Sequence, residues 1–267
     1  MLNSVLEKTI WDSRRSIWWW VGGLVAIAAM MVAFYPALED FGDFEELMEA
    51  YPDYFLAMFG IEEAGEFLTA EGFLHGELYS AMLPIIFLIF TIMRGAAATA
   101  GEEQGGTMDL VLSVPISRNR VVVDKFLAMV ALTAGLALSL VVVELIGNLL
   151  VDMGLSIEGI IAVNLGVVLL ALLFGALAMA IGSWTGRRTI AAGAAAGAAV
   201  AAFFINGLAP LVSALETPQK FSPFYWFLDS KPLSNGFAWG QLVLLTGVTL
   251  FLFSVAVWAF RRRDIAV

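Results

Sequence analysis

Cysteine is absent from the 267 residues, and histidine occurs once, as His75. Disulfides, thiolate metal sites and multi-histidine metal clusters are therefore excluded within this chain. Charge is sparse as well, with only 14% of residues Asp, Glu, Lys or Arg. The P-loop pattern G-x-x-x-x-G-K-[ST] does not occur. Its nearest approach, Gly182-Ser-Trp-Thr-Gly186-Arg187, has the wrong spacing and lacks the Lys. A serine hydrolase working inside a membrane needs a base beside its nucleophile, and His75 is expected outside the spans. These absences exclude thiol and histidine-metal chemistry and argue against nucleotide hydrolysis by the chain itself.

Apolar residues fill the space left. The chain is 60% hydrophobic, with 20 Phe and 8 Trp, and its mean hydropathy is +0.87. That composition belongs to integral membrane proteins. Crossing a hydrocarbon core of about 30 Å takes roughly 20 apolar residues. Six stretches qualify: 17–36, 78–98, 126–151, 159–184, 189–212 and 238–260. The expectation is an all-α polytopic membrane protein forming one domain over 1–267, with no room among these residues for a separate soluble unit. Before the first span, Leu2, Val5, Leu6, Thr9, Ile10 and Ser13 share one helical stripe. They predict an amphipathic helix over 1–16 on the inner leaflet rather than a cleaved signal. Trp18, Trp19 and Trp20 follow at headgroup depth, and Trp239 and Trp258 are spaced to mark both interfaces of the last span.

The net charge of −10 is informative only when divided by side. Lys8, Arg14, Arg15, Arg118, Arg120, Lys125, Arg187, Arg188, Arg261, Arg262 and Arg263 fall at one set of span ends, and Arg94 can snorkel toward them. Lys220 and Lys231 alone fall opposite. The positive-inside rule then places both termini and the loops 101–125 and 185–188 in the cytoplasm of a cell-membrane protein. On the outer side, residues 38–77 hold twelve carboxylates and no Lys or Arg. A solvated acidic loop is the simplest reading. A funnel for cationic substrates and a Ca²⁺ site from Glu45, Glu46, Glu49 and Asp53 are the alternatives. The second outer loop, 213–237, crowds Phe221, Phe224, Tyr225, Trp226 and Phe227 among prolines, as an interfacial or re-entrant segment would.

Polar groups inside spans are the default pointers to function in lipid. They are Arg94, Glu144, Asn148, Asn164 and Asn206. Glu144 and Asn148 lie one turn apart near the outer end of the third span and are candidates to line an outward path. Without several facing carboxylates near the midplane, a self-powered proton or Na⁺ carrier is disfavoured. In the fifth span Gly193 and Gly197 form a GxxxG on a face of small residues. It serves packing inside the protomer, the preferred reading, or packing between protomers. Pro84 predicts a kink in the second span.

The longest inner loop carries its own punctuation. Gly105 and Gly106 end what precedes, Thr107 can cap a short helix, Pro115 stops it, and Ser117 can cap the helix that enters the membrane. Within the short helix Met108, Val111 and Leu112 form one apolar face suited to a groove on a partner. Glu102 and Glu103 sit at its base, within reach of Arg14 or Arg15.

The run Gly101-Glu-Glu-Gln-Gly-Gly-Thr-Met-Asp-Leu-Val-Leu-Ser-Val-Pro-Ile-Ser-Arg118, followed by Lys125, resembles the cytoplasmic loop of type-2 ABC exporter permeases, the membrane subunits of antibiotic and multidrug exporters. The tail Phe260-Arg-Arg-Arg-Asp-Ile265 and the segment Ser222-Pro-Phe-Tyr-Trp226 are similar to the same family, while Gly106 and Asp124 depart from its pattern. The resemblance implies efflux through two six-span permease subunits, alike or different, joined to two ATP-binding subunits that hold ATP and Mg. The chain itself would hold no cofactor, contact no nucleic acid and catalyse no reaction. The coupling segment would comprise Glu102, Glu103, Thr107, Met108, Val111, Leu112, Pro115 and Arg118. A stand-alone channel or secondary transporter is the rival reading.

Overall fold

The computed structural model describes residues 4–39, 69–104 and 117–262. Six of its helices are long and apolar enough to cross a membrane. We label them α1 (Val5–Glu39), α2 (Leu83–Gln104), α3 (Arg118–Val151), α4 (Ile157–Thr185), α5 (Arg188–Leu208) and α6 (Trp239–Arg262). The all-α, six-span expectation holds, and no strand occurs among the described residues. The acidic segment, including Glu45, Glu46, Glu49 and Asp53, lies outside them, as do Thr107, Met108, Val111, Leu112 and Pro115.

Two boundaries differ from expectation. α1 is a single helix of 35 residues with no turn between its polar and apolar parts. At 1.5 Å per residue it is about 52 Å long, well beyond a hydrocarbon core. The second span starts earlier than expected. A short helix, Ala70–Leu74, is capped by the Thr69 hydroxyl and runs into a π-helical segment, His75–Met82, that leads straight into α2. His75 is thereby buried within the helical run rather than outside it. The π-helix lies immediately before Pro84. Proline has no N–H to give and its ring crowds the carbonyl four residues back. Here the preceding turn is widened, and the Leu83 N–H donates to Leu78, five residues back.

α4 is the axis of the bundle. Of its most apolar window 78% is buried, against 17% for α1 and 22% each for α5 and α6. It packs along α2 and α6 most extensively and also against α3 and α5, while α1 leans on α3. Glycine permits the closest of these approaches. A Cβ on Gly95 of α2 would lie 2.0 Å from the Gly175 carbonyl oxygen of α4. Beside that crossing the Thr91 hydroxyl donates to the Ala171 carbonyl of α4 at 2.7 Å, a bond between helices that lipid cannot replace.

The outer loop after α5 folds into short helical turns, among them Pro223–Leu228 and Pro232–Asn235. Phe224 and Phe227 are only 1% and 2% exposed. Phe224 meets Phe203 edge-on at 5.4 Å, and Phe227 packs where a Cβ on Gly166 of α4 would lie 2.7 Å from its ring. These two rings are core that seals one end of the bundle, whereas Phe221 stays 74% exposed.

Candidate functional site

Asn206 of α5 accepts from Gln219 of the outer loop, and the other span ionisable and amide groups named above fall mainly in two places. The first joins α3, α4 and the π-helical segment. Tyr79 donates its hydroxyl to Oε1 of Glu144. Asn164 donates through Nδ2 to Oε2 of Glu144 at 2.7 Å, to the Tyr79 oxygen at 2.9 Å and to the Ile160 carbonyl at 2.9 Å. The two Nδ2 hydrogens are shared among these three acceptors, which fixes the amide's orientation. Glu144 and Asn164 are each 1% exposed and Tyr79 is fully buried. The carboxylate thus has a donor on each oxygen, as burial of a polar group requires. Its position also explains the register: Glu144 and Asn164 lie equally far in sequence from Gly154 in the α3–α4 turn, so they fall level on antiparallel helices.

Glu144 and Asn148, the candidates to line an outward path, have separate partners. Asn148 turns to the α3–α4 connection, where its Nδ2 donates to the Leu155 carbonyl and its Oδ1 accepts the Leu155 N–H, both at 2.9 Å. The turn needs that clamp, because Asp152 and Gly154 both adopt positive φ, 54° and 72°. Each residue therefore has a local structural partner, and Glu144 is only 1% exposed. The sequence pattern does not single out Tyr79, since a tyrosine near a span end reads as an interfacial anchor. Only the widened helix turn that carries it brings it to Glu144.

The second gathering is at the opposite end of the spans. Arg94 of α2 donates through Nη1 to the Ser13 hydroxyl of α1 at 2.7 Å and lies over the Phe90 ring at 4.5 Å. Ser13 in turn donates to the Thr9 carbonyl at 2.7 Å. Lys125 is buried on α3 nearby and lines a cavity of about 250 Å³ together with Ser13 and Arg94.

In sequence, residues 105–116 link α2 to α3 at that end. Ser117 caps α3 as its sequence predicts, accepting from the Arg120 N–H, and Arg118 is the first residue of α3. Glu102 and Glu103 belong to the last turn of α2. The segment therefore bridges the ends of two helices that pack on each other and on α4. Gly193 and Gly197 depart from the preferred reading of packing inside the protomer: a Cβ at either would meet nothing within 4 Å. α5 instead buries Ala191, Ala195 and Ala199, one helical face away.

The sequence model for the ABC-2 family transporter proteins matches residues 3–265. The chain belongs to that family. It is an ABC permease, an integral membrane protein whose six spans fall inside the matched region. No individual curated protein matches the permease. The Tyr79–Glu144–Asn164 cluster ties the permease's π-helical segment and α3 to α4.

Proposed function

We propose that the permease is the membrane half of an exporter in the plasma membrane, powered by a separate ATP-binding subunit and working as a pair of six-span subunits. The observation that carries this reading is the family match over 3–265 to a chain without a P-loop of its own. Both termini and the segment 101–125 face the cytoplasm, where the ATPase binds ATP and Mg. Met108, Val111 and Leu112 enter a groove on that subunit, with Glu102, Glu103, Thr107, Pro115 and Arg118 framing the segment. Movement of the ATPase pushes the inner ends of α2 and α3. Because these helices are pinned to α4 by the Gly95–Gly175 approach, Thr91 and the Glu144 cluster, they move as one body, as rocking between inward and outward access requires.

Val111→Asp tests the coupling assignment. A carboxylate in an apolar groove is strongly unfavourable without a partner, and the change lies outside every span. Insertion should survive while ATP-driven transport is lost. Normal transport by a fully assembled Val111→Asp complex would contradict the assignment. Orientation is tested separately. Single cysteines at Gly154 and Ser230 should react with an impermeant thiol reagent on intact cells, and those at Asn119 and Arg187 should not.

A further inference from the structure

α1 divides into two unlike halves. Beyond Gly23, the residues Leu24, Ala28, Val32 and Tyr35 recur at helical spacing and all are buried. Val32 lies where a Cβ on Gly147 of α3 would come within 2.5 Å of it, and Tyr35 packs on Phe73 at 6.2 Å. That half is core. From residue 4 to residue 21, Ser13 alone is buried, while Ile10, Ile17, Trp20 and Val21 are half-buried. Packing behind this inner half is loose. The cavity of about 250 Å³ lies against its Thr9, Asp12 and Ser13. A groove of about 370 Å³ lies further along, between Trp19, Trp20, Gly23 and Ile27 of α1 and Ile86 of α2. Segments with few buried contacts are the ones that open most readily.

Two side-chain contacts join the inner half to α2. Arg94 donates to the Ser13 hydroxyl at 2.7 Å, and Trp20 meets Phe90 edge-on at 5.3 Å. Arg94 also lies over the Phe90 ring at 4.5 Å, so the α2 sides of both contacts hold each other in place. Between the halves of α1 stand Gly22 and Gly23, the one adjacent glycine pair among the described residues. Glycine loosens a helix interior, and at Gly95 the compensation is a close approach of two helices. At Gly22 and Gly23 a Cβ would meet nothing within 4 Å, so no contact inside the protomer requires them to be glycine. What the pair supplies is backbone freedom, at the point where α1 passes from loose packing to core. Sharp bends in long helices fall at such pairs.

We propose that residues 5–21 of α1 form a strap that swings on Gly22–Gly23 and is latched against α2 by Arg94 and Phe90. The anchored outer half keeps the span in place while the latch sets whether the seam toward α2 is shut or open. Arg94 and Phe90 share α2 with Glu102 and Glu103, so a movement of α2 displaces both latch residues together. That the ATPase supplies this movement rests on the function proposed above. The hinge and the latch do not.

The absence of cysteine allows spin labels to be placed in pairs on the full-length permease, reconstituted in lipid without ATP or ATPase. One pair, Lys8→Cys with Thr189→Cys, joins the strap to α5, and a second, Ala33→Cys with Thr189→Cys, joins the anchored half to the same point. All three positions are exposed. Pulsed electron–electron double resonance then reads the distances. Lys8 is about 21 Å of helix from Gly22, so a bend of about 20° carries it about 7 Å. Releasing the latch from the α1 side, with Ser13→Ala and Trp20→Leu together, should add a second Lys8–Thr189 distance shifted by up to that amount. Arg94→Gln should do the same from the α2 side, and the α1-side variant decides the matter if Arg94→Gln does not fold. Adding Gly22→Ala and Gly23→Ala to the released strap should remove most of the second distance, and the Ala33–Thr189 distance should stay single throughout. One unshifted Lys8–Thr189 distance in the released variants would overturn the proposal. So would an Ala33–Thr189 distance that shifts equally, since the whole helix would then move. A second distance that persists with alanine at both glycines would place the bend elsewhere and overturn it too. Because no nucleotide is present, these outcomes are independent of whether a separate ATPase drives the permease.

Discussion

Gly95 and Gly175 meet across α2 and α4 with no space for a methyl group, whereas Gly193 and Gly197 on α5 look onto open space. By spacing alone the second pair is the stronger packing signal, because four residues apart it flattens one helix face. Spacing along one helix, however, says nothing about whether a partner exists. The close approach is made by one glycine from each of two helices, beside a threonine whose hydroxyl bonds across the gap. α5 uses alanines for its own contact with the bundle and turns its glycines away. A flat face is an opportunity, and only the opposing helix converts it into a contact.

Gly95→Leu should have the largest effect, since the nearest obstacle is backbone that cannot rotate aside. We expect no folded protein to be recovered. Gly95→Ala should already cost about 1–3 kcal/mol through overpacking. Gly193→Ala should go the other way, stabilising α5 by up to about 1 kcal/mol, the ordinary gain of alanine over glycine in a helix. Thermal unfolding in detergent compares the two, and equal responses would break the contrast between the seams.

Asn164→Leu comes next in size. It removes one donor from Glu144 and another from the Tyr79 oxygen, and bonds of this kind between spans contribute about 1–2 kcal/mol. Adding Glu144→Leu to that variant should cost less than Glu144→Leu alone, because the two residues share one network. Strict additivity of the two changes would show that the cluster does not act as a unit.

The smallest expected effect is Gly197→Leu, which should stay within about 0.5 kcal/mol of the parent in protomer stability. This variant sharpens the comparison. If transport falls while the protomer remains folded, the open face of α5 contacts something outside its own chain.

Much of this fold is legible in the residues themselves. Six spans follow from apolar run length alone, and Ser117 announces the start of α3. The chemistry of the interior is less so. Glu144 stands out as an expensive residue in lipid, but its partners sit on other helices. Asn148, one turn away, is the nearest candidate in sequence and the wrong one in space. The hairpin symmetry about Gly154 points to Asn164, whereas nothing in the linear pattern points to Tyr79. Tyr79 lies in the π-helical segment just before Pro84, a widening that the linear pattern does not announce. Its place in the sequence predicts that Arg94 reaches for the surface. Instead it is held by Ser13, because α1 continues as a helix past the point where an interfacial segment would have bent away.

The central claim, that this permease is driven by a separate ATPase, is tested most directly by isolating the tagged full-length protein from its native membrane under mild detergent. The account predicts an ATP-binding subunit in a one-to-one ratio with the permease, with ATP hydrolysis that disappears from the Val111→Asp preparation while the permease remains inserted. A permease that purifies alone and supports substrate flux in vesicles without ATP would contradict it.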